Sequence, residues 1–141
     1  MLTHEKRILA AVIDIGIVMV IALLINILLP TSIFSGDLTF LIVYFIVGFI
    51  YTSLCLVISK DKTIGLYYMS LRLLGNDLGK PSKKVILLRS ITFGVLAIHI
   101  INILYMVLNK SETTLFDEIS DSFIISSGDA YKIENSKENE N

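Results

Sequence analysis

Three long apolar runs, Ile8 to Leu29, Leu38 to Ile58 and Ile91 to Leu108, limit what this chain can fold into. Each is near the roughly 17 to 25 residues that a helix needs to cross about 30 Å of hydrocarbon. Backbone groups in lipid must bond within their own segment, so all three are read as helices. Hydrophobic residues make up 54% of the 141-residue chain, above the roughly 45 to 50% typical of soluble domains. The expected fold is therefore an all-α integral membrane protein. It is a three-helix transmembrane bundle within residues 1–126, with a cytoplasmic amphipathic segment between spans two and three. The start Met1 to Arg7 looks like the charged region of a signal peptide, but the apolar run behind it exceeds the roughly 7 to 15 residues of such a signal. That run also contains Asp14, so an uncleaved anchor is expected.

The formal net charge of −1 says little, but the placement of charge sets an orientation. Lys6 and Arg7 precede span one, and Pro30 to Asp37 carries no lysine or arginine. Lys60, Lys62, Arg72, Lys80, Lys83, Lys84 and Arg89 fill the next connection. By the positive-inside rule the N-terminus and residues 59–90 are cytoplasmic, Thr31 to Asp37 faces out, and the chain is a multi-pass protein of the cell membrane. A third full crossing would put the C-terminus outside. Residues 127–141 form a polar tail; its last ten, from Lys132, hold one apolar residue, Ile133. Such a segment buries too little to offset the entropy of ordering, and disorder is expected.

Asp14 lies about two turns inside the first run, where a lone acid costs roughly 2.5 to 3.5 kcal/mol on insertion scales. It should face a protein interior, a partner or a water-filled path, and Asp14→Asn should preserve insertion. Arg7, Ala11, Asp14, Val18 and Ala22 recur at steps of three and four residues, which places them on one helix face. Arg7 and Asp14 are separated by roughly 10 Å along the axis, too far for a direct bond. Arg7 is instead expected to reach up to the cytoplasmic phosphates. Span two carries Tyr44, Gly48, Tyr51 and Cys55 on one face with Thr52 beside it. Span three carries Thr92, Val95, His99, Asn102 and Met106, with Tyr105 adjacent and Asn109 at the end. These polar groups either bond across helices or join Asp14, Tyr51, His99 and Asn102 into a proton or cation site.

In the second connection Asp61-Lys62-Thr63-Ile64-Gly65 is followed by Leu71 to Ser82 and then by Leu87-Leu88-Arg89-Ser90. Gly75 to Gly79 reads as a turn, and Pro81 or Ser82 as the cap of a helix running toward span three. Lys83, Lys84 and Arg89 beside Val85 to Leu88 suggest an amphipathic helix at the headgroups.

This order of motifs resembles the RDD family of small membrane proteins, named for an arginine and two aspartates. Arg7, Ala11 and Asp14 look like its first-helix motif. Thr63, Gly65, Leu71, Arg72, Gly79, Pro81, Ser82, Leu88 and Arg89 look like its connecting segment, and Asp117 stands at the second aspartate. The resemblance covers about Arg7 to Ile125. Phe116 replaces a frequent histidine and Leu66 a common lysine, while Ser120-Asp121-Ser122 replaces a small-residue and threonine pattern. The family's second aspartate often follows basic residues, which implies a cytoplasmic end, and a bent or re-entrant third segment would reconcile this with the crossings. The resemblance implies transport of small ligands, of which cation/proton exchange is one form.

Catalysis is not expected. There is no His-Glu-x-x-His pair, no Gly-x-Ser-x-Gly elbow and no phosphate-cradling glycine loop. Cys55, the one cysteine, closes no intrachain disulfide and builds no thiolate metal cluster. It reads as packing. No cofactor or metal is expected, and no basic and aromatic patch suggests nucleic acid. The remaining readings are a protein assisting transport of an ion or small solute through a site including Asp14, and a non-catalytic membrane interaction or anchor subunit packing on partner helices. Three helices cannot wall off a solute path, so besides the lipid bilayer the expected partner is a further copy or another membrane protein.

Overall fold

The structure, a computed structural model, describes residues 3–28, 37–59, 61–75, 77–109 and 114–139. The first two apolar runs are single helices, α1 (Thr3–Leu28) and α2 (Asp37–Ser59), and both are long and apolar enough to cross a membrane. The buried face of α1 is Arg7, Ala10, Asp14, Val18 and Ala22, close to the stripe spacing. On α2 the buried positions include Tyr44, Tyr51, Thr52 and Leu56. The connection Pro30 to Asp37, expected to face out, falls, up to its last residue, outside the described residues.

The third run departs from expectation. It does not make one straight span over residues 91–108 but is divided between α4 (Lys83–Gly94) and α5 (Leu96–Asn109), which meet at a bend of 100°. Val95 at the joint has an extended backbone, φ −98° and ψ 99°, which no helix continues. The break sits where α4 touches α2: a Cβ on Gly94 would lie 2.9 Å from the Phe45 carbonyl oxygen, and one on Gly48 3.3 Å from Gly94 Cα. Glycine lets the two backbones meet there. Among the described residues two helices are thus long and apolar enough to span a membrane, or three if the bent pair is counted as one.

The connection is also more than a surface helix. Residues 61–75 form α3 (Ile64–Tyr68) and β1 (Leu71–Gly75), and β1 pairs antiparallel with β2 (Ser122–Ser126), Leu71 opposite Ser126 and Gly75 opposite Ser122. A two-stranded sheet therefore corrects the all-α expectation. Side chains alternate across a strand, and Leu71 and Leu73 turn inward to pack with Ala10, Leu56, Leu66 and Val85. Between them Arg72 turns out to the Asp61 carboxylate, while the Asp61 carbonyl accepts from Leu73 N–H at 2.8 Å. The turn after β1 closes through Gly75 N–H to the Gly79 carbonyl at 2.9 Å. Ser82 caps α4, its hydroxyl accepting from Val85 N–H.

The C-terminal elements are α6 (Leu115–Ile119), β2 and α7 (Ser127–Asn139). By pairing with β1 they lie at the end of the molecule where α1 begins, not at the opposite end as an odd number of straight crossings requires. Most of the polar tail expected to be disordered is helical in α7. Ser126 starts it by accepting from Asp129 N–H at 3.2 Å, which satisfies one orphan N–H of the first turn, and its hydroxyl donates to the Asp129 carboxylate at 2.8 Å. Ala130 behind it is fully buried.

Candidate functional site

Asp14 is 4% exposed. Three neutral donors surround its carboxylate: Tyr51 from α2 through its hydroxyl, Thr63 through its hydroxyl at 2.6 Å, and Gly65 through its backbone N–H at 2.7 Å. Thr63 also caps α3, accepting from Leu66 N–H at 3.3 Å. The approach of α3 to α1 depends on Gly65, because a Cβ there would lie 2.1 Å from the Ala10 carbonyl oxygen and 2.8 Å from the Asp14 carboxyl carbon. One carboxylate thus ties together α1, α2 and the start of α3. The hydrogen bonds to its charge offset part of the cost of burial.

A second node forms around Asp117 on α6. Its two oxygens accept from Arg7 of α1 and Arg89 of α4, and the Thr114 N–H donates to it at 3.0 Å. Arg89 also donates to the Ser122 hydroxyl at 3.0 Å, and Ser122 bonds Ser120 at 2.7 Å. Arg7 is 5% exposed, so it does not reach out to headgroups. It is held inward by the charge-assisted bond to the buried Asp117 carboxylate. Arg89 likewise turns in from the expected surface helix. Burial alone would push the Asp117 carboxyl up; the charges of Arg89 and Arg7, with the Thr114 N–H, outweigh it and hold the group below its ordinary value.

Between the two nodes lies a cavity of about 110 Å³, bounded by Arg7, Asp14, Thr52, Arg89, His99 and Asn102 among others. That is room for several waters or a solute of a few heavy atoms. His99 Nε2 lies 3.0 Å from the Phe93 carbonyl, and its ring stands edge-on to Phe93 with centroids 4.2 Å apart. A carbonyl only accepts, so that nitrogen carries the proton. Of the four residues singled out from the sequence, Asp14, His99 and Asn102 face this space, while Tyr51 joins through its bond to Asp14. Of the four motif residues, Arg7, Asp14 and Arg89 border it, and Asp117 anchors the two arginines from behind.

Sequence reasoning missed Thr63 and Gly65 as partners of Asp14, and Ser120 and Ser122 as partners in the Arg89 node. The Thr63-x-Gly65 spacing was visible, but only the tertiary crossing with α1 gives it a function. The Ser120-Asp121-Ser122 departure supplies hydroxyls within the arginine node. Cys55 is half-buried, packed beside the cluster of Val18, Ala22, Val43, Tyr44 and Tyr51. No group of three or more potential metal ligands occurs among the described residues.

A family model described as RDD family matches residues 3–121. No curated protein and no solved structure matches the chain significantly.

Proposed function

We propose, from the premise that the chain belongs to the RDD family, that it holds an ion or small polar solute in the cavity beside Asp14 and assists its movement across the cell membrane. The observation that carries this reading is the cavity itself. It lies among α1, α2, α4 and α5, against Asp14 on a helix apolar enough to span, and Arg7, Asp14, Arg89, His99 and Asn102 converge on it. Ionisable groups at membrane depth are expensive and mark solute or ion pathways when they face a cavity. In this reading α1 and α2 cross fully, while α4 and α5 enter and return. The start of α1, residues 61–82 and the C-terminal elements then share the cytoplasmic side, as the lysines and arginines there favour. Two crossings and one re-entrant pair cannot enclose a path alone, so copies of the chain or another membrane protein complete it.

A second reading is favoured by the way both acids are bonded. Asp14 and Asp117 each have their oxygens occupied by groups from other elements, which is what a purely structural core of an interaction subunit requires.

Single cysteines replacing Lys80 and Lys132 in a Cys55→Ser background should be modified by an impermeant thiol reagent from the same side of the membrane. Modification from opposite sides contradicts the re-entrant arrangement. For function, the purified chain in vesicles should move Na⁺, K⁺, H⁺ or a small anion above empty vesicles. Asp14→Asn, which puts an amide nitrogen where two oxygens accept three donors, should insert normally but reduce flux roughly tenfold, the equivalent of about 1.4 kcal/mol; His99→Ala should also reduce it. Absence of flux, together with loss of a co-purifying partner in Asp14→Asn, replaces transport with the interaction reading.

A further inference from the structure

We infer that the cavity is a site for the acidic group, carboxylate or phosphate, of a small anionic solute, with the guanidinium of Arg7 as its principal contact and Thr52 beside it. This rests on the reading of the cavity as a solute site and specifies the chemistry of the solute.

The two Asp117 oxygens are held by Arg7 and Arg89. Both Asp14 oxygens already accept hydrogen bonds, from Tyr51, Thr63 and Gly65, so the acid on the cavity wall has its partners within the protein. Two buried side-chain atoms bordering the same space have no partner among the described residues: Arg7 Nε and the Thr52 hydroxyl. Their side chains belong to residues only 5% and 2% exposed. A buried donor left unmatched is costly, and more so on a charged group. Arg7 bonds Asp117 through Nη2, while its neighbouring Nε–H has no acceptor among the described residues. A charged guanidinium N–H is a strong donor to one oxygen of a carboxylate or phosphate.

A dehydrated metal cation needs the opposite lining. Ca²⁺ takes about six to eight oxygen ligands and Mg²⁺ close to six, but the carboxylate oxygens here are already engaged and the positive charge of the Arg7 guanidinium repels a cation. The arginine excess around Asp117 works in the same direction. Arg7 and Arg89 share that single carboxylate, and both border the cavity, so the wall nearest the node carries positive charge. An acceptor group in this cavity would supply a partner that Arg7 Nε and the Thr52 hydroxyl lack among the described residues.

The test is calorimetric titration of the purified full chain in neutral-lipid nanodiscs with acetate and with inorganic phosphate, and separately with Na⁺ and K⁺ at fixed chloride. Saturable binding of acetate or phosphate is expected. Arg7→Lys keeps the charge facing Asp117 but removes the Nε donor, and should weaken binding roughly tenfold; Thr52→Val removes only the hydroxyl and should weaken it several-fold. Both variants are first checked for an unchanged melting transition, and Thr52→Val stands alone if Arg7→Lys fails to fold. Repeating the titration in discs containing anionic lipid distinguishes a free solute, whose binding persists, from a lipid headgroup, which displaces it; either outcome keeps the anion assignment. Binding of Na⁺ or K⁺ without either anion overturns the assignment but leaves the solute-site reading intact. Anion binding unchanged in the variants also overturns it, and absence of any binding together with absence of flux removes both.

Discussion

Asp117→Asn should destabilise the protein by about 3 to 5 kcal/mol, the range for removing one partner of a buried ion pair. Asp117 is 3% exposed and holds Arg7 and Arg89 at once. An asparagine of the same shape keeps one acceptor oxygen but presents an NH₂ to the other guanidinium, leaving two buried cations without a counterion. The effect should appear as an early unfolding transition in detergent micelles. Adding Arg7→Met to Asp117→Asn should recover part of the loss, because one of the two orphaned charges is gone. The pH dependence has a definite sign. The folded carboxyl is held below its ordinary value, so its contribution is complete above the unfolded value near ~3.9 and is lost as pH falls from there through the folded value. Acidification below about pH 4 should therefore lower the melting temperature of the wild type, and Asp117→Asn should lack that part of the response. A variant within about 1 kcal/mol of wild type would show that the arginines are satisfied without Asp117.

Gly65→Ala should be nearly as damaging, for a steric reason. The added methyl would lie 2.1 Å from the Ala10 carbonyl oxygen and 2.8 Å from the Asp14 carboxyl, and the neighbour it meets first is the backbone of α1. Relief requires α3 to move off α1. Movement breaks the Gly65 N–H bond to Asp14 and loosens the Thr63 bond with it. Overpacking of about 1 to 3 kcal/mol and loss of a hydrogen bond to a charged group, about 1.5 to 3 kcal/mol, give an expected loss of roughly 3 kcal/mol or more. Gly16→Ala is the internal control, since a Cβ at Gly16 meets nothing within 4 Å. Equal melting temperatures for the two variants would contradict the close crossing of α3 and α1.

The apolar runs and the α1 stripe were legible because burial in a long helix repeats its signal many times. Arg7, Asp14, Val18 and Ala22 mark one face without any knowledge of what they touch. The two strands were not legible. Each has five residues, and in Leu71-Arg72-Leu73 the alternation lasts only three positions before Leu74 and Gly75 end it. Their pairing partner lies some fifty positions away, which local pattern does not encode. The bend at Val95 was not legible in the local pattern, since the composition of Ile91 to Leu108 is that of a continuous span; a bent third segment was expected only from the family resemblance, and the break falls where Gly94 meets Phe45 and Gly48 of α2. The polar candidates could be named from the sequence, but their pairing could not. Helical spacing correctly excluded a direct Arg7–Asp14 bond, yet the actual partner of Arg7 comes from the C-terminal segment, and the partners of Asp14 come from α2 and the connection.

The central claim is that the cavity beside Asp14 admits aqueous solute within the apolar part of the protein. Reaction of single cysteines with a small hydrophilic thiol reagent tests it most directly, using Asn102→Cys on the cavity wall and Leu104→Cys on the exposed apolar face of the same helix, in a Cys55→Ser background. Asn102 is 7% exposed and Leu104 is 52% exposed, so simple surface exposure would favour Leu104. A lipid-facing thiol stays protonated and meets no aqueous reagent, whereas a thiol in a wet cavity does. The account predicts faster modification of Asn102→Cys than of Leu104→Cys in intact membranes. An unreactive Asn102→Cys, or faster reaction at Leu104→Cys, would contradict it.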